Sequence, residues 1–332
     1  MSEKIIVSSI KKITLSLLEV SFNQTEVEKK LNEIHAHFQE LTKITGFDHK
    51  IEYLAAVPSA KGKALGLNHA AQCLLDYKRT VKFLKAIISA IHEKQKNYPN
   101  EVIHIFYAGC GPYAPFITLI APLFTPKNVQ FTLLEINKAS LESAKKLIQA
   151  LDLINYIQDY HLADAVTFKV PNANKFHLLF SETLDALLYR ECYVPILYNL
   201  LPQFNEDITL IPENVLLNLT LLTHSITTPD YKEHDIGHIL NVREAVALHT
   251  INQPIPTHLQ SKTIDLTTLN MNRYNLMLLD TQVHVYNDIW LYRDESSLTL
   301  PLEMVLQQPF NNDTITFSYQ MEPDIELTCK FD

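Results

Sequence analysis

The feature that most constrains this chain is a change of texture near residue 101. Val102 to Tyr107 is a short, largely apolar run that reads as a strand, followed at once by the segment AGCGPYAP. Gln130 to Glu135 reads as a second strand and Tyr156 to Leu162 as a third, on either side of a helical pattern from Ala139 to Leu151. A fourth, Phe176 to Phe180, precedes a helical stretch from about Leu184 to Leu201. A strand covered on both faces reads as continuous apolar sequence, and a parallel neighbour needs a crossover helix. This alternation predicts an α/β fold with a doubly wound, Rossmann-like parallel sheet.

The flanks read differently. Residues 1 to about 99 are predicted helical. Thr25 to Gly46 carries Val27, Leu31, Ile34 and Phe38 at helical spacing, with Gly46 as the expected C-cap. Residues 57–67, with Pro58 and two glycines, read as a loop, and 68–96 as one long amphipathic helix closed by Tyr98-Pro99-Asn100. After Pro212, the segments Val215 to Leu222, Lys262 to Leu266, Gln282 to Trp290 and Thr314 to Tyr319 are β-branched, aromatic or alternating. They predict an antiparallel β barrel or sandwich, interrupted by a charged helical arm at about 229–250. At 332 residues, and roughly 150 per domain, the expected division is 1–99, 100–212 and 213–332.

Composition excludes several classes. The chain is 47% apolar and 20% charged, as packed globular proteins are. A net charge of −9 argues against general binding to nucleic acid or anionic membrane. No apolar run approaches the ~20 residues of a membrane span. The opening MSEKIIVSSIKK lacks a signal-peptide apolar region and cleavage site, so a cytoplasmic location is expected. Cys73, Cys110, Cys192 and Cys329 are scattered and form no CxxC pair, which predicts reduced thiols and neither a zinc site nor a disulfide framework.

Glycine is scarce. There are six, where average usage of about 7% would give roughly 23. Gly109 and Gly111, so close together, therefore imply a backbone requirement: a tight turn that a ligand approaches without a Cβ in the way. The helix after it would aim its first amides at the same place. The third glycine of a dinucleotide fingerprint is missing, since Tyr113 and Ala114 stand there. The next strand ends on Glu135, 24 residues beyond Gly111, where an acid hydrogen-bonds a ribose. Asp164, in HLADAV, follows the third strand, where an adenine edge would lie; for both acids a plain surface role stays open. A missing glycine weighs against a pyrophosphate. S-adenosyl-L-methionine (SAM) has no phosphates, but its carboxylate needs a cation.

Three stretches then share one pattern: CLLDYKRTVKFLKAI at 73–87, AGCG with Glu135, and SETLDALLYRE at 181–191. Together they resemble the protein arginine methyltransferases. The resemblance spans about residues 65 to 320, and IPENVLLNLTLL and KTIDLTTLNM look like that family's barrel strands. It implies that Arg79 holds the SAM carboxylate, for which a planar guanidinium fork is suited. It also implies that Glu182 and Glu191, nine residues apart, form the family's double-glutamate loop around a cationic nitrogen. Two carboxylates facing one pocket are costly unless a cation sits between them. The departures are a SAKGKALGL stretch in place of a YFxxY-like leader, and no Thr-His-Trp: Thr257-His258 is followed by Leu259, and Trp290 is the one tryptophan. The 229–250 segment lies where the family has a dimerisation arm, implying a homodimer.

The expected activity is SAM-dependent methyl transfer to an arginine-like cationic nitrogen. Three readings stay open beside it. They are methylation of nitrogen or sulfur in a small molecule or modified peptide, a non-catalytic SAM-binding scaffold, and an NAD-dependent dehydrogenase.

Overall fold

The computed structural model describes residues 3–19, 23–223 and 232–332. Two helices open the chain, Glu3–Glu19 and Gln24–Thr42. Asn23 caps the second by accepting the Glu26 N–H. Its apolar stripe (Val27, Leu31, Ile34, Phe38) is buried. The helix ends four residues before Gly46 because Lys43 itself takes the left-handed cap, at φ 65°.

The long helix predicted over 68–96 is two elements. A short helix, Leu67–Gln72, runs through a turn at Cys73–Leu75, and the leader helix Tyr77–Asn97 starts afresh after Asp76. Tertiary contacts hold the break. The Asp76 carboxylate accepts from Ser296 Oγ, Ser297 N and Ser297 Oγ at 2.7–2.8 Å. Arg79 therefore stands in the first turn of the leader helix, near the sheet's ligand edge, instead of midway along a rod.

Five parallel strands form the central sheet, in spatial order Ile157–Leu162, Val129–Glu135, Ile103–Ala108, Leu178–Ser181 and Thr209–Ile211. The last strand was not anticipated; three residues are too short for a pattern. Ile103–Ala108 is central, and the chain continues on one side of it and then on the other. That switch point is where open α/β sheets bind ligands. An aromatic cluster of Phe83, Tyr107, Phe116 and Phe180 ties the leader helix to the sheet, with ring centroids 4.7–6.2 Å apart. Such offset and edge contacts suit aromatic quadrupoles.

Beyond Pro212, Asn214–Thr223 pairs antiparallel with both Leu276–Tyr286 and Lys232–Asn241. Leu302–Val305 and Ile289–Leu291 extend the far side of Leu276–Tyr286. A separate three-stranded sheet comprises Lys262–Asp265, Thr314–Gln320 and Glu326–Phe331.

Three predicted elements are corrected. The 229–250 segment is no helical arm: 232–241 is a strand, followed only by the short helix Val242–Val246, while 229–231 lie outside the described residues. Its charge pattern suggested a solvated helix, but the apolar strand Asn214–Thr223 offered an edge whose ladder overrides local propensity. Gln282 to Trp290 is two strands, split by a turn where Asn287 takes φ 48°. Finally, the stretch from Leu184 to Leu201 is helical only over Tyr193–Leu200; the rest is the loop described next.

Candidate active site

All seven residues singled out in the sequence line one cavity at the carboxyl ends of the parallel strands: Arg79, Gly109, Gly111, Glu135, Asp164, Glu182 and Glu191. It encloses about 910 Å³, solvent at its mouth included.

The turn after the central strand is built on backbone. Gly109 and Gly111 take φ 77° and 64°, a region that costs other L-residues roughly 1–2 kcal/mol. A Cβ on Gly109 would overlap the Thr183 methyl, whereas one on Gly111 would meet only Ala70, at 3.9 Å. Gly109 is therefore required by packing, and Gly111 by its dihedral. Glu135 holds this turn: Oε2 accepts from Gly111 N at 2.8 Å and Oε1 from Asn137 N at 2.9 Å. Burial raises its pKa, partly offset by those amide hydrogen bonds.

Asp164 has a role that its spacing did not suggest. Its carboxylate accepts from Ser59 Oγ, Ala60 N and Val166 N at 2.7–3.0 Å. It thereby clasps the 57–67 segment, folded as a small hairpin of Val57–Pro58 and Lys63–Ala64, onto the cavity rim. Lys63 N then donates to Arg190 O, which ties the hairpin to the glutamate loop.

The loop from Glu182 to Cys192 is held from several sides. Leu187 and Leu188 both take left-handed φ, 60° and 56°, a conformation bulky residues keep only when their surroundings over-determine it. Those surroundings are visible. Leu187 N donates to Thr281 Oγ1, Tyr319 Oη donates to Leu188 O, and Asp185 Oδ1 accepts the N–H groups of Arg190 and Glu191. Helical periodicity in the sequence carried no sign of these contacts, since Thr281 and Tyr319 come from the C-terminal sheets.

Glu182 and Arg79 form a buried ion pair, with Nη2 donating to Oε2. The other oxygen, Glu182 Oε1, is buried with no hydrogen-bond partner. Burial lifts the Glu182 carboxyl above the usual range even against the pull of Arg79. Burial also lifts Glu191, reinforced by the neighbouring Glu182 charge, to about 8. Both carboxyls therefore hold their protons more tightly than exposed ones do, and a cation between them would favour the charged forms. Cys73 and Cys192 also line the cavity, but burial raises both thiols, to about 11 and about 12. They are poor nucleophiles there.

A second, larger cavity of about 2260 Å³, solvent at its mouth included, adjoins the first. Leu65, Cys73, Arg79 and Glu191 line both. Sequence reading missed this cavity because its walls come from the start of the leader helix, the glutamate loop and three C-terminal strands at once.

No protein-family model and no curated protein matches the chain. Among solved structures, it is similar to protein arginine methyltransferase 10 of Arabidopsis thaliana: TM-score 0.52, 12% identity, covering 80% of this chain and 93% of that one. At that identity the likeness is one of fold: a parallel sheet followed by an antiparallel domain. Among the described residues, no helix is long and apolar enough to cross a membrane.

Proposed function

We propose that this chain is a SAM-dependent methyltransferase acting on a cationic nitrogen of the guanidinium kind. The observation that carries the reading is the buried pair Glu182 and Glu191, one oxygen of which has no partner, at the junction of two cavities. A buried acceptor without a donor is costly unless a ligand completes it.

The lining fits SAM. Arg79 spends Nη2 on Glu182, and a guanidinium has further N–H donors for a ligand carboxylate. Gly111 offers the ligand backbone without a Cβ, and Glu135 stands at the strand end for ribose hydroxyls. Asp164, its carboxylate already engaged by Ser59, Ala60 and Val166, would frame an adenine through the 163–165 backbone instead. When bound, SAM supplies an electrophilic methyl on a sulfonium.

The protein's own residues do the rest. Glu191, which lines both cavities, and Glu182 neutralise and align the cation. Alignment of this kind is worth effective molarities on the order of 10⁵–10⁸ M. With a guanidinium pKa above about 12, the proton leaves late, and no separate strong base is assigned. A homodimer is part of the proposal; light scattering that returned one chain mass at micromolar concentration would refute it.

The test is transfer of labelled methyl from SAM by wild type and Glu182→Gln. Acceptors are free arginine, an arginine peptide, a cysteine peptide and cell extract. Label on arginine that is lost in the variant supports the reading. Label on cysteine alone overturns the guanidinium acceptor, and SAM bound without transfer to any acceptor favours a binding role.

A further inference from the structure

The second cavity is bounded by two strands at sheet edges. Leu302–Val305 pairs only with Leu276–Leu279, and Glu326–Phe331 pairs only with Thr314–Gln320. Among the described residues, the outer edge of each lacks a strand partner. Both strands line the cavity, and Glu326, Leu327, Thr328 and Cys329 do so consecutively. Successive side chains of a strand point to opposite faces. Four in a row against one space means that Glu326–Phe331 presents its edge there, whereas Leu302–Val305 lines the cavity only through the alternate residues Leu302 and Met304 and so presents a face. The edge of one sheet and the face of the other therefore border a single gap that leads inward to Glu191.

The gap has a distinct chemistry. Its walls are mostly aliphatic, with Leu75, Leu187, Leu279, Leu298 and Leu327 among them. The rim stays apolar out to solvent: Leu300 and Leu302 are about half exposed (54% and 48%). Against this, Glu191 and Glu326 supply acid at the inner end and the mouth, while Arg190 is drawn onto Asp185. An unpaired strand edge beside an apolar channel is a template for an added strand. A buried acid at its end selects a cation.

We infer that the acceptor is an extended polypeptide that adds to the edge of Glu326–Phe331, with an arginine on Glu191 and bulky apolar residues on either side of it. The inference rests on the methyltransferase reading for what happens to the arginine, but the docking stands on the edge and the gap. It commits to an apolar-flanked segment as opposed to a glycine-rich one. Glycine would leave the aliphatic walls uncovered and would lose more backbone entropy on becoming a strand.

The test uses four fluorescein-labelled nonapeptides of equal charge, each with one central arginine. One is flanked by valine, leucine and serine, one by glycine and serine. The third and fourth repeat the first with N-methyl groups on alternate backbone amides, one in each register. Binding to the full chain is read by anisotropy, with and without saturating S-adenosylhomocysteine. We expect the apolar-flanked peptide to bind at least tenfold tighter than the glycine peptide, and N-methylation in one of the two alternate registers to remove that advantage. Leu302→Lys should weaken the apolar-flanked peptide about tenfold and leave the glycine peptide within twofold. Leu300→Lys is the second variant, and circular dichroism checks the fold of both. Equal affinity for the first two peptides overturns the docking, as does indifference to N-methylation in both registers. Failure of the chain to bind SAM in calorimetry overturns the methyltransferase reading alone, because peptide preference without nucleoside still decides the docking.

Discussion

Arg79 and Glu182 stand 103 residues apart in sequence and meet as a buried ion pair in the cavity wall. The guanidinium engages one glutamate oxygen, and the other, Oε1, is buried without a hydrogen-bond partner. Removing one partner of a buried pair strands the other charge, at a cost of about 3–5 kcal/mol. Arg79→Ala is therefore expected to lower unfolding stability by roughly that amount, and Arg79→Ala with Glu182→Ala to recover part of it. Urea unfolding measures both. A loss below about 1 kcal/mol would show that the pair is solvated.

The two glycines of the turn should respond differently. Gly111→Ala makes only an ordinary van der Waals contact with Ala70, and its cost is mainly that of the dihedral, about 1–2 kcal/mol. Gly109→Ala pays for the same dihedral and also collides with the Thr183 methyl. Thr183→Ser removes that methyl and keeps the hydroxyl that meets Ser181 Oγ at 3.1 Å. It should restore part of the stability lost in Gly109→Ala and do nothing for Gly111→Ala. Thermal unfolding of the four variants decides the matter; equal losses at both glycines would refute the packing argument.

Glu135 accepts two backbone N–H groups and faces the cavity at once. Glu135→Ala is expected to weaken SAM binding at least tenfold, about 1.4 kcal/mol. Glu135→Gln retains one acceptor oxygen and should lose less. Calorimetry that found unchanged affinity in both would remove the ribose assignment.

What the sequence made legible was the part built from local pattern. Strand-like runs ending on Tyr107, Glu135 and Phe180 marked three neighbouring strand ends, so residues at those ends converged on one cavity. What it hid was everything decided across long separations. Asp76 breaks the leader helix because Ser296 and Ser297 hold its carboxylate. Leu187 and Leu188 leave the helical region because Thr281 and Tyr319 hold their backbone. Asp164 turned to the 59–60 segment, and 232–241 became a strand through a ladder with Asn214–Thr223. In each case the deciding partner lies beyond the span that periodicity samples, so local propensity was overruled.

The raised carboxyls give the empty protein and its complex opposite responses to pH. Glu191 titrates near 4.5 in an ordinary setting and near 8 here, and Glu182 is also raised. Between those values the folded chain keeps a proton that the unfolded chain has released. Stability therefore falls as pH rises through that window, and levels off above about 8, where both states are ionised. A cation between the carboxylates reverses the balance by favouring their charged forms. Acceptor affinity should then rise from pH 6 to about 8 and plateau, with protons released on binding. Melting temperatures across this range test the first part. Calorimetry in two buffers of different ionisation enthalpy tests the second. Glu191→Gln should flatten most of both profiles. Acceptor affinity that stayed constant from pH 6 to 9 in wild type would mean that the carboxylates are already ionised without a ligand, and the cation-gripping role of the pair would fall.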